Sequence, residues 1–564
     1  DPNVRATTQE LFEGLNASGQ NAFPNVNFDF GEINNYLSRF FSAGFYYKTF
    51  MGIPPFEWGK GTSIWMFYEK FIRKAAGMGK ASKLPDPDSY EHANEHCDVL
   101  IIGSGPAGNA AALELANKKL DVILVEQDSI VGGNRLSFKD FDFNKEKILL
   151  EKAGVKIMTR TTAFGLYDSS VVGLLERVSD HFLISKNNLP KQRFWTIRPK
   201  QIILATGAIE RHIAFNNNDK PGIMTANAAL HYLHRYGILC GNKIIIVANN
   251  DSVYAVAAEF SNAGSKVHIV DCRKNISEDL KNFSDKHKIK LSLNKIPYGV
   301  KGNRNIKSLE IAEIDNGKYI NIAEKECNLL LVSGGWSPVI HLISHTGLKP
   351  IWNFENLCFV SPETDKPITV IGSAAGIWNN EDCIKSGKSG ANKILNFFGI
   401  KNRNFKFSEI GGWKNSIMKL NEVKYKRNSK SFIDFQHDVT TDDVRLAHRE
   451  GFISVEHLKR YTTLGMANDQ GKMGNVLGLG VMSDLLEKDI SEVGTTTFRP
   501  PYTSVSIGSL AGRNINKHFR PLRLTSLHHW NLEHGAIMIE TGLYQRPWYY
   551  PKANETLSEA YIRE

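Results

Sequence analysis

"DVLIIGSGPAGNAAALELANKKLDVILVE", residues 98–126, decides the fold. The apolar run Val99–Ile102 reads as a buried strand that enters Gly103-x-Gly105-x-x-Gly108. An alanine-rich helix follows, and then a second apolar strand ending on Glu126. Each glycine has its own task in such a turn. Gly103 permits the tight bend, Gly105 lets the backbone approach a pyrophosphate, and Gly108 lets the helix pack close to the strand. The helix N-terminus presents free N–H groups and a partial positive charge to the anion. Glu126, 18 residues beyond Gly108, is placed to accept hydrogen bonds from ribose hydroxyls. Its charge disfavours a 2′-phosphate, which points to NAD or FAD over NADP. The glycines alone are a weak signal, and a nucleotide-free relic is the bland reading. The full strand–helix–strand context with its terminal acid favours a dinucleotide site.

A second unit of the same pattern covers "KIIIVANNDSVYAVAAEFSNAGSKVHIVD", residues 243–271. Here Ala248, Asn250 and Val253 stand where the glycines belong, and their side chains crowd the space a pyrophosphate needs. A fold retained without its ligand is favoured over a site for external NADH. Apolar strands are read at "QIILATG" (201–207), "CNLLLVSGG" (327–335) and "ITVIGSAAG" (368–376). Strands alternating with helices imply parallel sheets covered on both faces. The expected organisation is an aromatic-rich extension over 1–95 packed on the core, and a first dinucleotide domain over 96–235 and 330–400. A degenerate nucleotide-like insertion fills 236–329, a basic linker 401–430, a helical domain 431–515, and a further domain begins over 516–564. In the helical domain Thr440 or Thr441 is the expected N-cap, ahead of two aspartates that suit the helix dipole.

At 564 residues the chain is too long for one core. Its 42% hydrophobic and 23% charged residues are ordinary globular composition. No apolar run reaches the ~18–20 residues that span a bilayer, so no membrane is expected. The net charge of +10 comes from scattered Lys and Arg, densest at "KNRNFK" (401–406) and "KYKRNSK" (424–430). A solvated connector explains these runs better than a nucleic-acid partner. Six cysteines lie far apart with no C-x-x-C, which suggests reduced thiols in the cytoplasm and no metal cluster. The chain opens on Asp1 and stops inside a helix-like stretch, "SEAYIRE", and reads as a fragment cut at both ends.

"Gly132-Gly133-Asn134" and "Ala205-Thr206-Gly207" resemble the two-dinucleotide-domain flavoproteins. In that family the closing motif is Gly-Asp, whose Asp binds the flavin ribityl chain. Ser373 stands at that place here, which favours NAD over FAD. The redox cysteine pair of the disulfide reductases is also missing after Gly133. The fold class expected is therefore α/β: a Rossmann-like, two-dinucleotide-domain flavoprotein fold with an inserted second unit.

The order of the pieces is narrower still. "SAGFYYKTFM" (42–51), "ATGAIERHIAFNNNDKPGIM" (205–224), "GFISVEHLKRYTTLGMANDQGK" (451–472) and "VGTTTFRPPYTSVSIGSLAGR" (493–513) resemble the alpha subunits of heterotetrameric sarcosine oxidase. The resemblance covers essentially the whole chain. It implies NAD bound non-covalently at the first site, FAD in a beta subunit where sarcosine is oxidised, and FMN at the alpha–beta interface. It implies gamma and delta partners as well, and a C-terminal domain similar to the glycine-cleavage T-protein that binds tetrahydrofolate. The T-protein-like domain begins near residue 516, and its folate residues are expected beyond Glu564. Carried over residue by residue, the NAD contacts fall at Ala107, Glu126, Gln127, Asp128, Asn134 and Ala163. Gly207, Gly372, Ala374 and Trp378 close the site. No catalytic residue and no metal ligand is assigned to this chain. Opine dehydrogenase and cyanide synthase subunits share the two-domain plan, and a stand-alone NAD/FAD oxidoreductase is the alternative.

Relatives with an iron–sulfur cluster, resembling bacterioferritin-associated ferredoxin, place Cys-x-Cys before the same helix pair and two more cysteines in the following glycine loop. On that match Asp434, Gln436, Asp469 and Gly474 take the four ligand places, with 32 residues between the pairs. A [2Fe–2S] cluster ordinarily needs four thiolates, so none is expected. The polar replacements are expected to hydrogen-bond the loop across the old cavity. In "GTTTFRPPYTS" (494–504), Thr495–Thr497 with Arg499 suit a flavin phosphate, with Thr496 and Arg499 the leading candidates. The bland reading is a turn capped by its own threonines. His528 and His529 beside Trp530 lack partners at metal-ligand spacing and are read as packing residues.

Overall fold

The computed structural model describes residues 10–16, 19, 22–25, 28–33, 69–71, 73, 84–139, 141–182, 189–315, 318–401, 416–425 and 430–563. Most of the aromatic extension expected over 1–95 lies outside the described residues, as do 402–415 and 426–429 of the linker. Of the extension, Glu10 is tied to the core through Arg160, Nε to Oε2 at 2.8 Å.

The first unit is a seven-stranded sheet built on β1 (Tyr90–Ile102). The turn at Gly103 leads to α1 (Pro106–Ala116) and then β2 (Val122–Val125). Next come β3 (Lys156–Met158), β4 (Thr161–Leu166), β5 (Val172–Arg177) and β6 (Gln192–Leu204). The strand order is β3-β2-β1-β6-β5-β4, with Ile368–Val370 added alongside β6. Strands β1, β2, β3 and β6 run parallel, with Ile101 opposite Leu124 and Ile102 opposite Leu204. The expected strand 201–207 is thus the end of a strand of 13 residues. Its first half pairs antiparallel with β5 and its second half pairs with Ile368–Val370.

The second unit is a five-stranded parallel sheet. It comprises β7 (Ile223–Thr225), followed by α2 (Ala226–Tyr236), and β8 (Lys243–Ala248), followed by α3 (Val253–Asn262). It is completed by β9 (Lys266–Asp271), β10 (Lys290–Ser292) and β11 (Leu329–Ser333), in the order β7-β11-β8-β9-β10. This moves the boundaries expected at 236 and 329. β11 lies between β7 and β8, and α2 buries Ala226, Ala229 and Leu230 with Ile244 and Tyr254. Gly237, at φ +66, ends α2 and reads in sequence as a boundary, but the sheet begins before it. An antiparallel sheet of Lys295–Lys301, Ser308–Asp315 and Lys318–Glu326 shares a core with this unit, with Val300, Leu309 and Ile311 against Ile245 and Leu330.

Returning to the first unit, β12 (Ile368–Val370) leads through a short turn to α4 (Asn380–Phe397). α4 lies close against α1: a Cβ on Gly387 would sit 2.2 Å from the carbonyl oxygen of Ala107. Glycine is required there by backbone approach.

The described part of the expected linker is not a free connector. Val423 is fully buried, its N–H donates to the Ala214 carbonyl, and Met418 N–H donates to the Asn249 carbonyl. Beyond it, a short ladder of Phe432–Asp434 with Val439–Thr440 opens the helical unit, α5 (Thr441–Arg449), α6 (Val455–Thr462) and α7 (Asn475–Leu486). Thr440 is the N-cap of α5, in a reciprocal capping box with Asp443. Ile433, Val444, Leu458, Leu477 and Met482 form the core of this unit. Residues from 523 build a small three-stranded sheet and a closing helix, Leu557–Arg563. Among the described residues no helix is long and apolar enough to cross a membrane.

Candidate functional site

The glycine turn separates two kinds of requirement. A Cβ on Gly103 (φ +106) would lie 2.3 Å from the Ala205 oxygen, and one on Gly108 would lie 2.0 Å from the Gly103 oxygen. These two positions are fixed by packing. Gly105 is different: nothing lies within 4 Å of where its Cβ would be. Among the described residues no side chain caps α1, which leaves its first N–H groups without an intrahelical or capping partner. That geometry fits the pyrophosphate of a dinucleotide.

Of the other expected elements, Gly132, Gly133 and Gly372 touch the turn or the start of α1. Gly132 N–H donates to the Ser104 carbonyl at 3.0 Å, and a Cβ on Gly133 would come within 2.9 Å of the Gly105 Cα. Asn134 is exposed beside them. Gly207 (φ +71) follows β6 with open space around it. Gly372 (φ +64) packs on Ala107, and Ala374 is fully buried. Ser373 faces Cys383, Oγ to Sγ at 3.7 Å. Trp378 Nε1 donates to Asn356 Oδ1 at 3.0 Å. Ala163 sits in β4, next to Phe164, whose carbonyl accepts from Tyr502 N–H at 2.9 Å.

The acids are already partly committed. Glu126 is buried and accepts from Ser104 N–H at 3.0 Å, Ser104 Oγ at 2.7 Å and Asp128 N–H at 2.9 Å. An ionised carboxylate has about four acceptor positions, so about one is left for a ribose hydroxyl. Gln127 is exposed, and its carbonyl accepts from Arg177. Asp128 is paired with Arg235 of α2, Nη2 to Oδ1 at 2.6 Å. Burial opposes its charge, but the Arg235 guanidinium holds the carboxyl below its usual range. Asp128 therefore shapes the rim through Arg235, which sequence reasoning did not pair with it.

The second cleft is filled from within. Ala248, Asn250 and Val253 are fully buried, and the Asn250 amide binds Ser333 and accepts from Ser252. Asn249 Nδ2 donates to the Met418 carbonyl at 2.8 Å, so residues 416–418 lie over the turn. Arg273 sits where a ribose or its phosphate would be read. It is buried against Asp271, Nη2 to Oδ2 at 2.7 Å, and against Asp251, and it donates to the Ser416 carbonyl at 2.6 Å.

The cysteine-free loop is bridged by its polar replacements. Asp434, 5% exposed, accepts from Gln436 N–H at 2.9 Å, His437 N–H at 3.1 Å and, across the gap, Gly465 N–H at 2.9 Å. Gln436 Oε1 accepts from Asn468 N–H at 3.1 Å. Asp469 accepts from Gly471 N–H of its own turn, and its charge acts on Lys472 and Tyr502. A Cβ on Gly474 would lie 2.6 Å from the Ile433 oxygen. Among the described residues no group of His, Cys, Asp and Glu is arranged to hold a metal ion. His528 and His529 meet only edge to face.

Sequence reading missed what this loop touches. The Lys472 ammonium lies 4.1 Å from the centre of the Tyr502 ring, and Tyr502 stacks on His341 at 3.7 Å with a 2.6 Å hydrogen bond between them. Burial pushes the Lys472 amine down to about 8 and holds His341 well below its usual range, neutral. In the same segment the buried Thr496 hydroxyl has no hydrogen-bond partner among the described residues, and Arg499 is exposed. Both motifs are visible in the sequence, but nothing in their spacing says that they meet.

Residues 97–353 match the family model for pyridine nucleotide-disulphide oxidoreductases, and residues 428–513 match that of the sarcosine oxidase A3 domain. The chain is 40% identical to sarcosine oxidase subunit alpha of Rhizobium meliloti (strain 1021), covering 100% of this chain and 57% of that protein. It is 34% identical to the subunit alpha of Corynebacterium sp. (strain U-96), over 87% of this chain and 53% of that protein. The chain thus spans a little over half the length of these relatives. L-proline dehydrogenase from P. horikoshii shares the fold, with a TM-score of 0.55 at 23% identity over 75% of this chain and 80% of that one. An open dinucleotide cradle, a second unit of the same fold and a matching A3 region occur together, and the chain belongs to the family of sarcosine oxidase alpha subunits.

Proposed function

We propose that this chain acts as the nucleotide-holding alpha subunit of a flavin-dependent complex that oxidatively demethylates sarcosine to glycine. In this reading NAD occupies the first cradle, FAD belongs to the beta subunit, and FMN lies between alpha and beta. Gamma and delta subunits complete the assembly in the cytoplasm. The one-carbon unit passes to tetrahydrofolate or leaves as formaldehyde, and oxygen is reduced to hydrogen peroxide. The observation that carries the reading is the contrast between the two units. One cradle is bare at Gly105, and the other cleft is filled by Asn250, Arg273 and residues 416–418. A chain that cannot seat NADH beside a flavin does not act as a stand-alone reductase, so its electrons come from a partner.

Its own residues have positional tasks in this scheme. The α1 N-terminus and the Gly105 backbone hold the pyrophosphate. Glu126 offers its remaining acceptor position to the ribose. Flavin supplies the redox chemistry when bound. The unpartnered Thr496 hydroxyl, Arg499 and the Lys472 ammonium are the donors this chain brings to a phosphate at the interface. Purification tests the scheme. The chain alone is expected to carry NAD and to leave added flavin oxidised when NADH is supplied. Sarcosine-dependent peroxide is expected only with the partner subunits. Stoichiometric NADH-driven flavin reduction by the chain alone would overturn it.

A further inference from the structure

Where residues 416–421 cover the second cleft they leave a gap. A cavity of about 90 Å³ remains between Gly334 and Asn249 at the ends of β11 and β8 and the covering segment. Its walls include Trp352, Leu357, Ile417 and Ile490. Arg211 lines it and is only 4% exposed. One edge of its guanidinium is satisfied, with Nη1 donating to the Leu357 carbonyl at 2.7 Å. No carboxylate pairs with it among the described residues. Burial pulls it down to about 10. Gly335 keeps room for the group: a Cβ there would meet Arg211 Nη2 at 2.6 Å.

A buried, hydrogen-bonded charge is normally paired, because an unpaired one costs several kcal/mol. Arg273, the other buried arginine of this unit, is paired twice. Arg211 has a cavity in place of a partner. We infer that this cavity is a binding site for a small carboxylate of two to four carbons, clamped by Arg211. The size excludes a dinucleotide but accommodates more than one water, since a single water needs only about 10–15 Å³ of such volume. The planar fork of a guanidinium matches a carboxylate in two parallel hydrogen bonds. The apolar walls suit a short alkyl tail. Lys419, paired with Asp484, and Asp489 also line the cavity, and the Asp489 charge works against a dianion such as phosphate more than against a monoanion.

The test uses the full chain with the subunits that co-purify with it. Binding of ¹³C-propionate is followed by saturation-transfer NMR, with propionamide and inorganic phosphate as competitors. Propionate is expected to bind saturably below roughly 50 mM. It should bind at least about tenfold more tightly than its neutral amide or phosphate. Arg211→Gln should lose at least about tenfold in propionate affinity. Ile417→Phe, which fills the cavity and leaves the arginine in place, should lose it too while the unfolding midpoint holds. Absence of binding in the wild-type protein would overturn the inference. Equal affinity for propionamide, or unchanged affinity in both variants, would do so as well.

Discussion

Asp434→Ala tests whether carboxylate chemistry now closes the loop that thiolates close in cluster-bearing relatives. The Asp434 carboxylate is 5% exposed and receives three backbone N–H groups, of which that of Gly465 comes from the far side of the loop. A hydrogen bond to a charged acceptor is worth about 1.5–3 kcal/mol net, and an orphaned buried donor costs a similar amount. The three bonds share one acceptor group and do not add fully. The loop is therefore expected to lose about 3–4 kcal/mol of local opening free energy. Amide hydrogen exchange reads this directly. At about 1.4 kcal/mol per decade, the Gly465 amide should exchange at least roughly 100-fold faster. Asp434→Asn keeps one acceptor oxygen and should show about a tenfold effect. Amides in the middle of α7 serve as the internal control. If the Gly465 amide exchanges within about threefold of wild type while α7 stays protected, the bridge contributes nothing and the reasoning fails.

Other outcomes follow from the same geometry. Gly108→Ala should destabilise the first unit, because its Cβ would lie 2.0 Å from a backbone oxygen. Gly105→Ala should leave the unfolding midpoint unchanged and weaken NAD binding at least about tenfold by equilibrium dialysis. Arg273→Ala strands Asp271 and Asp251, and should cost about 3–5 kcal/mol in denaturant titration, as for other broken buried pairs. For Lys472, between about 8 and its ordinary value the unfolded chain holds a proton that the folded chain has shed, so stability rises with pH through that window. Lys472→Met should therefore stabilise the helical unit at pH 7, by up to about 3 kcal/mol less the lost cation–π contact, with the gain vanishing by about pH 10.5. A melting curve with the same wild-type-to-variant gap at both pH values would contradict it. Iron analysis of the purified chain should find none, because the loop offers no thiolate.

Much of the first unit was legible in the sequence because its determinants are local. Gly103, Gly105 and Gly108 act within one turn, and in the helical unit Thr440 with Asp443 likewise forms a local cap across three residues. The polar bridge over the loop was also anticipated, although the hydrogen bond of Asp469 stays within its own turn. What escaped depends on residues far apart. The pairing of Asp128 with Arg235 joins two elements 107 residues apart. The extent of the second sheet depends on β11 entering between β7 and β8, which no local pattern announces. Residues 424–430 looked like solvated linker because their charge is high, yet Val423 beside them is fully buried. The meeting of Lys472, Tyr502 and His341 likewise depends on tertiary packing across 161 residues between the last two.

The segment over the second cleft has a consequence for the order in which the molecule is made. Asn249 and Met418 are 169 residues apart. The cleft is complete once β11 ends at Ser333, and at about 5–20 residues per second the ribosome then needs roughly 4–17 seconds to reach Met418. During that interval Asn249, Arg273 and the ends of β8 and β11 are made but uncovered. Nascent chains are thus open to nucleotide, chaperone or protease at a face the finished protein does not present. A stalled chain ending before residue 416 would expose that face permanently, and limited proteolysis would find it there.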